Sequence, residues 1–266
     1  MTFMLISIII TVRNEEQNLP NLMDSLVAQE QPIEIIIVDS ASEDRTVPIA
    51  RNYAKRYPFV RIFEHGGTRG ESRNFGSEKA KGEALAFIDG DCIAQHGWIA
   101  EMRKGLAEGD IVAGKTINIG NQAFEDLDRV ELYYKGFDLT FPSCNLVYKK
   151  KVFDEIEGFD SWFMTAEDID LNYRAVDKGA NLIYNENAIV YHRTRSNLFG
   201  FFKQAFWNGF GRKQLTLKHG PLWTNYRPIE MIKHHITFWY LARLCIALLG
   251  YFTCKFLGSR KDKNTK

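Results

Sequence analysis

The chain has 266 residues, of which 45% are hydrophobic and 25% are charged, and its formal net charge is +1. This composition excludes an intrinsically disordered chain, and the length suits one large α/β domain with a smaller appendage. The charges are divided unevenly, because residues 1–195 hold 22 Lys/Arg against 31 Asp/Glu whereas residues 196–266 hold 12 against 2, so we expect two regions with different partners.

Apolar runs and helical patterns alternate along the first third of the chain. The runs are short, continuous and rich in Ile, Val or Ala, namely Leu5–Val12, Ile33–Val38 and Ala84–Ile88. Continuous runs of this length are typical of parallel strands that are buried on both faces. Apolar residues at spacings of three and four predict helices around Leu19–Leu26 and Thr46–Tyr57. The alternation predicts an open, doubly wound α/β fold with a mainly parallel central sheet flanked by helices.

Acidic residues stand directly after each apolar run, at the sheet edge where such folds bind ligands. Glu15 follows the first run, Asp39 the second, and Asp89-Gly90-Asp91 the third. Two carboxylates around a glycine can point the same way at a turn and offer oxygen ligands to Mg²⁺ or Mn²⁺. Such a metal would bridge a diphosphate and neutralise its charge as a leaving group. The alternative is a solvated Asp-Gly turn.

A second acidic pair, Glu167-Asp168, opens a predicted helix over Ile169–Val176. Repulsion between the two carboxylates would raise the pKa of one of them, which favours a general base. The alternative is a capping pair that interacts with the helix dipole. The sequence shows no convincing Ser/His/Asp or Cys/His arrangement, so we expect no covalent nucleophile.

Five ordered motifs resemble those of family 2 glycosyltransferases. They are Ser7–Glu15, Ile36–Thr46, Gly70–Gly76, Asp89–Asp91 and Glu167–Arg174. Each motif alone would be weak, but their shared order and spacing over residues 5–195 make the resemblance specific. One departure is Thr11, where many members have proline, and it affects the shape of the loop more than the chemistry.

The resemblance implies a GT-A fold and transfer of a sugar from a nucleotide-diphospho-sugar with inversion at the anomeric carbon. It implies that Asp39 binds the base, most often uracil, so a UDP-sugar is favoured over a GDP-sugar. The nucleotide-binding residues that it implies are Thr11, Arg13, Glu15, Asp39, Ser42, Arg73 and Asp89. The implied catalytic base is Asp168, with Glu167 beside it. The implied ligands of Mn²⁺ or Mg²⁺ are Asp91, Asp89 and His192, and a purely structural role is the alternative for His192.

Residues 196–266 are predicted to form a basic, aromatic helical extension of a catalytic domain that covers residues 1–195. Residues 198–213 combine bulky aromatics with three cations, which is typical of a segment on anionic lipid; a helix packed on the catalytic domain is the alternative. The hydrophobic segment 236–257 is long enough to span a bilayer, but basic residues on both flanks favour a helix that does not cross it. Because nucleotide sugars are cytosolic, we expect a membrane-associated protein whose catalytic domain faces the cytoplasm.

The sequence therefore predicts an inverting glycosyltransferase with a lipid-linked or glycan acceptor at the cytosolic membrane face. A sugar-phosphate nucleotidyltransferase is one alternative, although it should carry a Gly-rich loop where Asn14-Glu15 stands. A catalytically inactive sugar-nucleotide-binding protein is another, and it is disfavoured by the intact Asp89, Asp91 and Asp168. Nucleic-acid binding is not expected, because the cations of the tail lie among apolar residues.

Overall fold

The computed structural model describes residues 4–120, 130–193, 198–222, 225 and 238–257. The strands in these ranges are β1 (Ile6–Val12), β2 (Ile33–Asp39), β3 (Val60–Glu64), β4 (Ala84–Asp89), β5 (Cys92–Ala94), β6 (Ile111–Ile119), β7 (Tyr133–Tyr134), β8 (Phe137–Asp138), β9 (Leu146–Lys149) and β10 (Leu182–Arg193). The helices are α1 (Leu19–Val27), α2 (Thr46–Arg56), α3 (Arg69–Lys79), α4 (Trp98–Glu108), α5 (Lys150–Glu155), α6 (Glu167–Asp177), α7 (Leu198–His219) and α8 (Phe238–Leu257).

Eight of the described strands form one mixed sheet in the order β3-β2-β1-β4-β9-β6-β10-β5. Strands β3, β2, β1 and β4 are parallel to one another, and β9 lies antiparallel between β4 and β6. Strand β10 is parallel to β6, and β5 pairs antiparallel with β10 at the edge. The predicted α/β class is confirmed, and the three apolar runs correspond to the adjacent strands β1, β2 and β4.

Strand β1 is apolar throughout because both of its faces are covered. Ile8 and Ile10 belong to the core on the side of α1 and α4, whereas Ile9 belongs to the core on the opposite side with Phe87 and Phe159. Full burial of one such side chain contributes roughly 1.5–3 kcal/mol. The two-sided core therefore explains a continuous run of isoleucines where a half-exposed strand would alternate.

The strand register brings three chain segments to one sheet edge. Val12 pairs with Asp39 across β1 and β2, and Thr11 pairs with Asp89 across β1 and β4. Strands β2 and β4 each run one residue further than the sequence predicted, so Asp39 and Asp89 are their last residues and do not belong to the loops that follow. The sheet ladder thus fixes the backbone of both carboxylates.

Helices α7 and α8 pack closely against each other. A Cβ added at Gly209 of α7 would lie 1.8 Å from the carbonyl oxygen of Ala247, and one added at Gly250 of α8 would lie 1.9 Å from that of Phe206. Glycine at both positions lets the two backbones touch. Within the described ranges, none of the helices combines the length and apolarity that a bilayer crossing requires. The predicted domain boundary, between residues 195 and 196, lies outside the described residues.

Candidate active site

A buried arginine joins two elements that carry predicted site residues. Arg73 of α3 is 2% exposed. Its Nη2 donates to Asp89 Oδ1 at the end of β4 (2.7 Å), and its Nη1 donates to Glu167 Oε1 at the start of α6 (2.9 Å). The guanidinium carbon lies 5.4 Å from the centroid of the Phe159 ring, within the range of a cation–π contact. The sequence predicted a nucleotide contact for Arg73, and the structure places it between two carboxylates of the protein.

The rest of the α3 motif holds this helix against its surroundings. The side-chain amide of Asn74 donates to the carbonyl of Phe159 (2.8 Å), and Asn74 Oδ1 accepts from the backbone N–H of Phe159 (2.8 Å). A Cβ added at Gly76 would lie 2.7 Å from Ile9 Cγ2, so glycine lets α3 lie directly on the sheet. Asn74 and Gly76 therefore fix the position from which Arg73 reaches both carboxylates.

The ion pair keeps Asp89 charged. Burial of Asp89 opposes its ionisation, but the Arg73 guanidinium outweighs burial and lowers the pKa of this carboxyl group. The pKa of Arg73 is raised although burial opposes its charge, because Asp89 and Glu167 are both negative. With Oδ1 of Asp89 bonded to Arg73, the first aspartate of the predicted metal pair has a partner within the protein.

Asp168 has the environment of a general base. It lies in the first turn of α6, where Oδ2 accepts from the backbone N–H of Ser143 (3.3 Å) and Oδ1 from that of Ile169 (2.9 Å). Burial, and then the negative charge of Glu167, raise the pKa of Asp168 to about 6, although Arg73 and the two backbone bonds oppose the rise. The predicted repulsion by Glu167 is therefore present, but burial is the larger cause. A carboxyl group with this pKa can take up a proton near neutral pH.

Asp39, at the same edge of the sheet, has one carboxylate oxygen that is bonded and one that, within the described part of the chain, is not. The residue is 2% exposed, and its Oδ2 accepts from the backbone N–H of Ser42 (3.0 Å). Its Oδ1 is buried and has no hydrogen-bond partner among the described residues. A buried acceptor without a partner costs about 1–3 kcal/mol. A ligand that donates an N–H there would remove this cost.

The loops after β1 and β2 are bonded to each other and surround Asp39. The backbone N–H of Asn14 donates to Ser42 Oγ (2.9 Å), and Asn14 Oδ1 accepts from the N–H of Glu43 (2.8 Å). The backbone N–H of Glu15 donates to Thr46 Oγ1 (2.7 Å). The structure thus joins the two loops that carry Glu15, Asp39 and Ser42, and Thr11 lies on the adjacent strand beside Val38. Arg13, which was also predicted to bind the nucleotide, lies in the exposed part of the first loop. Ser42 shapes the loop pair by binding the backbone of Asn14.

Asp91 and His192 lie together, as the sequence predicted. His192 Nε2 is 3.5 Å from Asp91 Oδ1, and Cys92 Sγ joins them in a group whose potential ligand atoms all lie within 4.8 Å of one another. A carboxylate oxygen and an imidazole nitrogen are both common ligands of divalent metal ions. Contact with Cys144 and burial raise the pKa of the Cys92 thiol, so a thiolate ligand is not expected. Sequence analysis missed Cys92, and its position beside Asp91 is the only signal that marks it.

Negative charge accumulates between the group of Asp91, Cys92 and His192 and the loops that follow β1 and β2. Burial raises the pKa of Glu15, a hydrogen bond from Asn18 opposes the rise, and the charges of Asp91, Asp89 and Asp44 add to it. Carboxylates that raise the pKa of one another in this way are relieved by a bound cation. The residues present therefore fit a divalent ion held by Asp91 and His192.

Family models match most of the chain. The model described as "Glycosyl transferase family 2" matches residues 7–164, and "Glycosyl transferase family group 2" matches residues 128–257. The chain is 28% identical over 230 residues to glycosyltransferase AglE of Haloferax volcanii, with 80% of this chain and 75% of AglE covered. It is 23% identical to the pre-mycofactocin glycosyltransferase of Mycobacterium tuberculosis, with 80% of this chain covered but only 48% of that protein.

Solved structures share the fold. Residues 1–349 of S. aureus TarS in complex with UDP-GlcNAc match with a TM-score of 0.63 at 16% identity, covering 93% of this chain and 82% of that TarS chain. Mannosyltransferase PcManGT of Pyrobaculum calidifontis, in complex with GDP-Man and Mn²⁺, matches with a TM-score of 0.67 at 17% identity, covering 97% of this chain and 77% of that protein. Together with the large mixed sheet, these likenesses confirm the predicted GT-A fold.

Replacement of Arg73 by methionine tests whether the buried ion pairs hold the site together. Arg73→Met keeps an unbranched side chain but removes the guanidinium that pairs with the buried Glu167 and the partly buried Asp89, so we expect the free energy of unfolding to fall by about 3–5 kcal/mol. The matched control is Arg51→Met, which removes an ion pair to Glu64 whose side chains are 62% and 61% exposed, and there we expect a loss below about 1 kcal/mol. Equal losses in urea unfolding would contradict the bridging role.

Proposed function

The chain belongs to glycosyl transferase family 2, and on this premise we propose that it is an inverting, divalent-metal-dependent glycosyltransferase. Its donor would be a nucleotide-diphospho-sugar, with a UDP-sugar favoured over a GDP-sugar. Its acceptor would be a hydroxyl group of a lipid-linked molecule or a glycan at the cytosolic face of a membrane. The observation that carries the proposal is that Asp39 and Asp89 end the two strands that flank β1, and that Arg73 joins Asp89 to Glu167, the neighbour of Asp168.

Asp39 would bind the base of the donor. Its buried Oδ1 has no hydrogen-bond partner among the described residues and can accept one N–H. Uracil offers such a donor on its pairing edge, and so does guanine, which is why both nucleotides remain candidates. TarS has been crystallised with UDP-GlcNAc and PcManGT with GDP-Man. The hydrogen bonds between the loops around Asn14 and Ser42 would keep the shape of the pocket, and a local opening would expose the buried Oδ1 to the base.

Asp91 and His192 would hold the metal, which would be Mn²⁺ or Mg²⁺. A bound divalent ion neutralises the charge that develops on a departing diphosphate. Asp89 would support this site indirectly, since Arg73 fixes its orientation one residue before Gly90. Glu15, whose pKa is raised by burial and by the neighbouring acids, would gain from the added positive charge.

Asp168 would accept the proton of the acceptor hydroxyl. The oxygen of that hydroxyl would bond to the anomeric carbon while the bond from this carbon to the nucleoside diphosphate breaks. Two backbone N–H groups, those of Ser143 and Ile169, hold the carboxylate of Asp168 in place. Glu167 bonds Arg73 through Oε1 and would act on Asp168 by charge and position. Direct displacement with one base inverts the configuration of the sugar and needs no covalent nucleophile.

The apolar surface of α8 would lie on an anionic membrane. Leu241, Leu244, Leu248, Phe252 and Phe256 are all exposed and recur at spacings of three and four along the helix. Such a stripe lies on one side of the helix. Cations beside it, such as Lys255, would meet the lipid head groups while the stripe enters the apolar region of the bilayer. This arrangement would place the catalytic edge close to a lipid-linked acceptor.

Hydrolysis of nucleotide sugars tests the enzyme proposal. We expect the purified protein with Mn²⁺ to hydrolyse slowly at least one donor from a panel of UDP- and GDP-sugars, because water can replace the acceptor. Asp91→Asn should lower this rate at least tenfold through weaker metal binding, and Asp168→Asn should lower kcat by about 10²–10⁴ through loss of the base. Release of the nucleoside diphosphate is the measurement.

The control variant is Glu186→Gln, which neutralises an exposed carboxylate in β10 and should leave the rate unchanged. The proposal would be contradicted by wild-type protein that turns over no donor with any divalent ion. It would equally be contradicted by Asp91→Asn and Asp168→Asn variants that retain the full rate.

The pH dependence of kcat tests the role of Asp168. Its carboxyl group must be ionised to accept a proton, and its pKa is raised to about 6. We therefore expect kcat to be constant above this pH and to fall roughly tenfold per pH unit below it, because the protonated fraction rises as the pH decreases. Initial rates measured from about pH 5 to pH 8 would show this fall in kcat at acidic pH. A kcat that does not change with pH would contradict the role of Asp168 as the base.

Vesicle flotation tests the membrane surface. The double variant Leu248→Glu/Phe252→Glu adds two charges to the exposed stripe and should bind vesicles rich in phosphatidylglycerol much less than the wild type. Met164→Glu is the control, because Met164 is 54% exposed and lies outside α8. If the double variant floats with vesicles as well as the wild type does, α8 is not the membrane surface.

A further inference from the structure

Asp170 belongs to the acidic motif but does not face the catalytic edge. It is 0% exposed. Its Oδ2 accepts from Arg174 Nε (2.8 Å), and its Oδ1 lies 2.7 Å from both His219 Nε2 and Lys218 Nζ. Because a carboxylate can only accept, Nε2 of His219 carries a proton in this contact. A residue two positions after Asp168 is therefore bonded to the last turn of α7.

The end of α7 also binds the segment that precedes α6. Lys218 Nζ bonds Asp160 Oδ2 (2.8 Å), and the side chain of Gln214 donates to the carbonyl of Trp162 (2.9 Å). The ring of His219 lies over that of Tyr173, with centroids 4.0 Å apart. The last two turns of α7 thus contact the chain both before and after Asp168 in the sequence.

Helix α7 also contacts the turn that precedes α6. Ala166, directly before Glu167, has a left-handed backbone with φ of 62°. A Cβ added at Gly211 of α7 would lie 2.8 Å from the carbonyl oxygen of Thr165 and 2.9 Å from Ala166 Cβ. Helix α7 therefore touches the strained turn from which the first turn of α6 begins.

We propose that Lys218 and His219 are positioning residues, which act through Asp160 and Asp170 to fix the first turn of α6 and with it the carboxylate of Asp168. This inference rests on the proposed function, since it assigns a role in the same reaction. Among the described residues, no hydrogen bond, ion pair or ring contact joins Lys218 or His219 to Asp39, Asp91 or His192. Their loss should therefore affect turnover while leaving nucleotide binding intact, which a general structural defect would not do.

The test compares two substitutions of His219 in the full chain. His219→Phe keeps a ring against Tyr173 but removes the N–H that bonds Asp170, whereas His219→Gln keeps a donor. We expect His219→Phe to lower kcat for donor hydrolysis about tenfold, because small displacements of a catalytic group have large effects on rate. His219→Gln should recover most of that loss. The Kd of UDP or GDP with Mn²⁺, measured by calorimetry, should stay within about twofold of wild type in both variants.

The matched control is Lys178→Ala, which removes a donor to the carbonyl of Glu155 at the other end of α6 and should leave kcat within about twofold. A His219→Phe variant with wild-type kcat would overturn the positioning role. The positioning role would also be overturned if kcat, nucleotide affinity and melting temperature all declined together, since His219 would then only stabilise the fold. A wild type without donor turnover contradicts the proposed function itself, and a wild type with turnover but an unaffected His219→Phe contradicts only this inference.

Discussion

The buried Arg73 guanidinium is the interaction on which the candidate site depends. It binds Asp89 at the end of β4 and Glu167 at the start of α6, and these two residues are widely separated in the chain. A buried charge is tolerated only when it is paired, so the arginine and both carboxylates constrain one another. The sheet edge that presents Asp39 is thereby held at a fixed position relative to the helix turn that presents Asp168.

The parts of this arrangement that the sequence predicted are those set by local patterns. Strands β1, β2 and β4 are continuous apolar runs, and the parallel register then brings Asp39 and Asp89 to one edge. The ion pair between Arg73 and Glu167 was not predicted, because no periodicity connects residues 94 positions apart. Strand β9 was missed for a related reason, since four residues paired antiparallel between two longer strands carry too little pattern to identify.

Ion pairs within the protein account for part of the charge asymmetry of the chain. The sequence was interpreted as an acidic catalytic region and a basic extension with separate partners. Lys218 belongs to the basic region, yet it binds Asp160 and Asp170 of the acidic one. The roles of the two regions therefore overlap at the end of α7, and composition alone does not separate cations that would face a membrane from cations that neutralise buried acids.

The topology has a consequence for how such a protein diversifies. The proposed donor side is built from consecutive strand–helix units of residues 6–89. The opposite side is assembled from β6, β9, β10 and α6, which come from distant parts of the chain. Insertions between those elements lengthen loops on the second side and leave the strand–helix units of the first intact, provided that Glu167 still reaches Arg73. A chain of this topology can therefore vary its second side while it keeps the proposed nucleotide pocket.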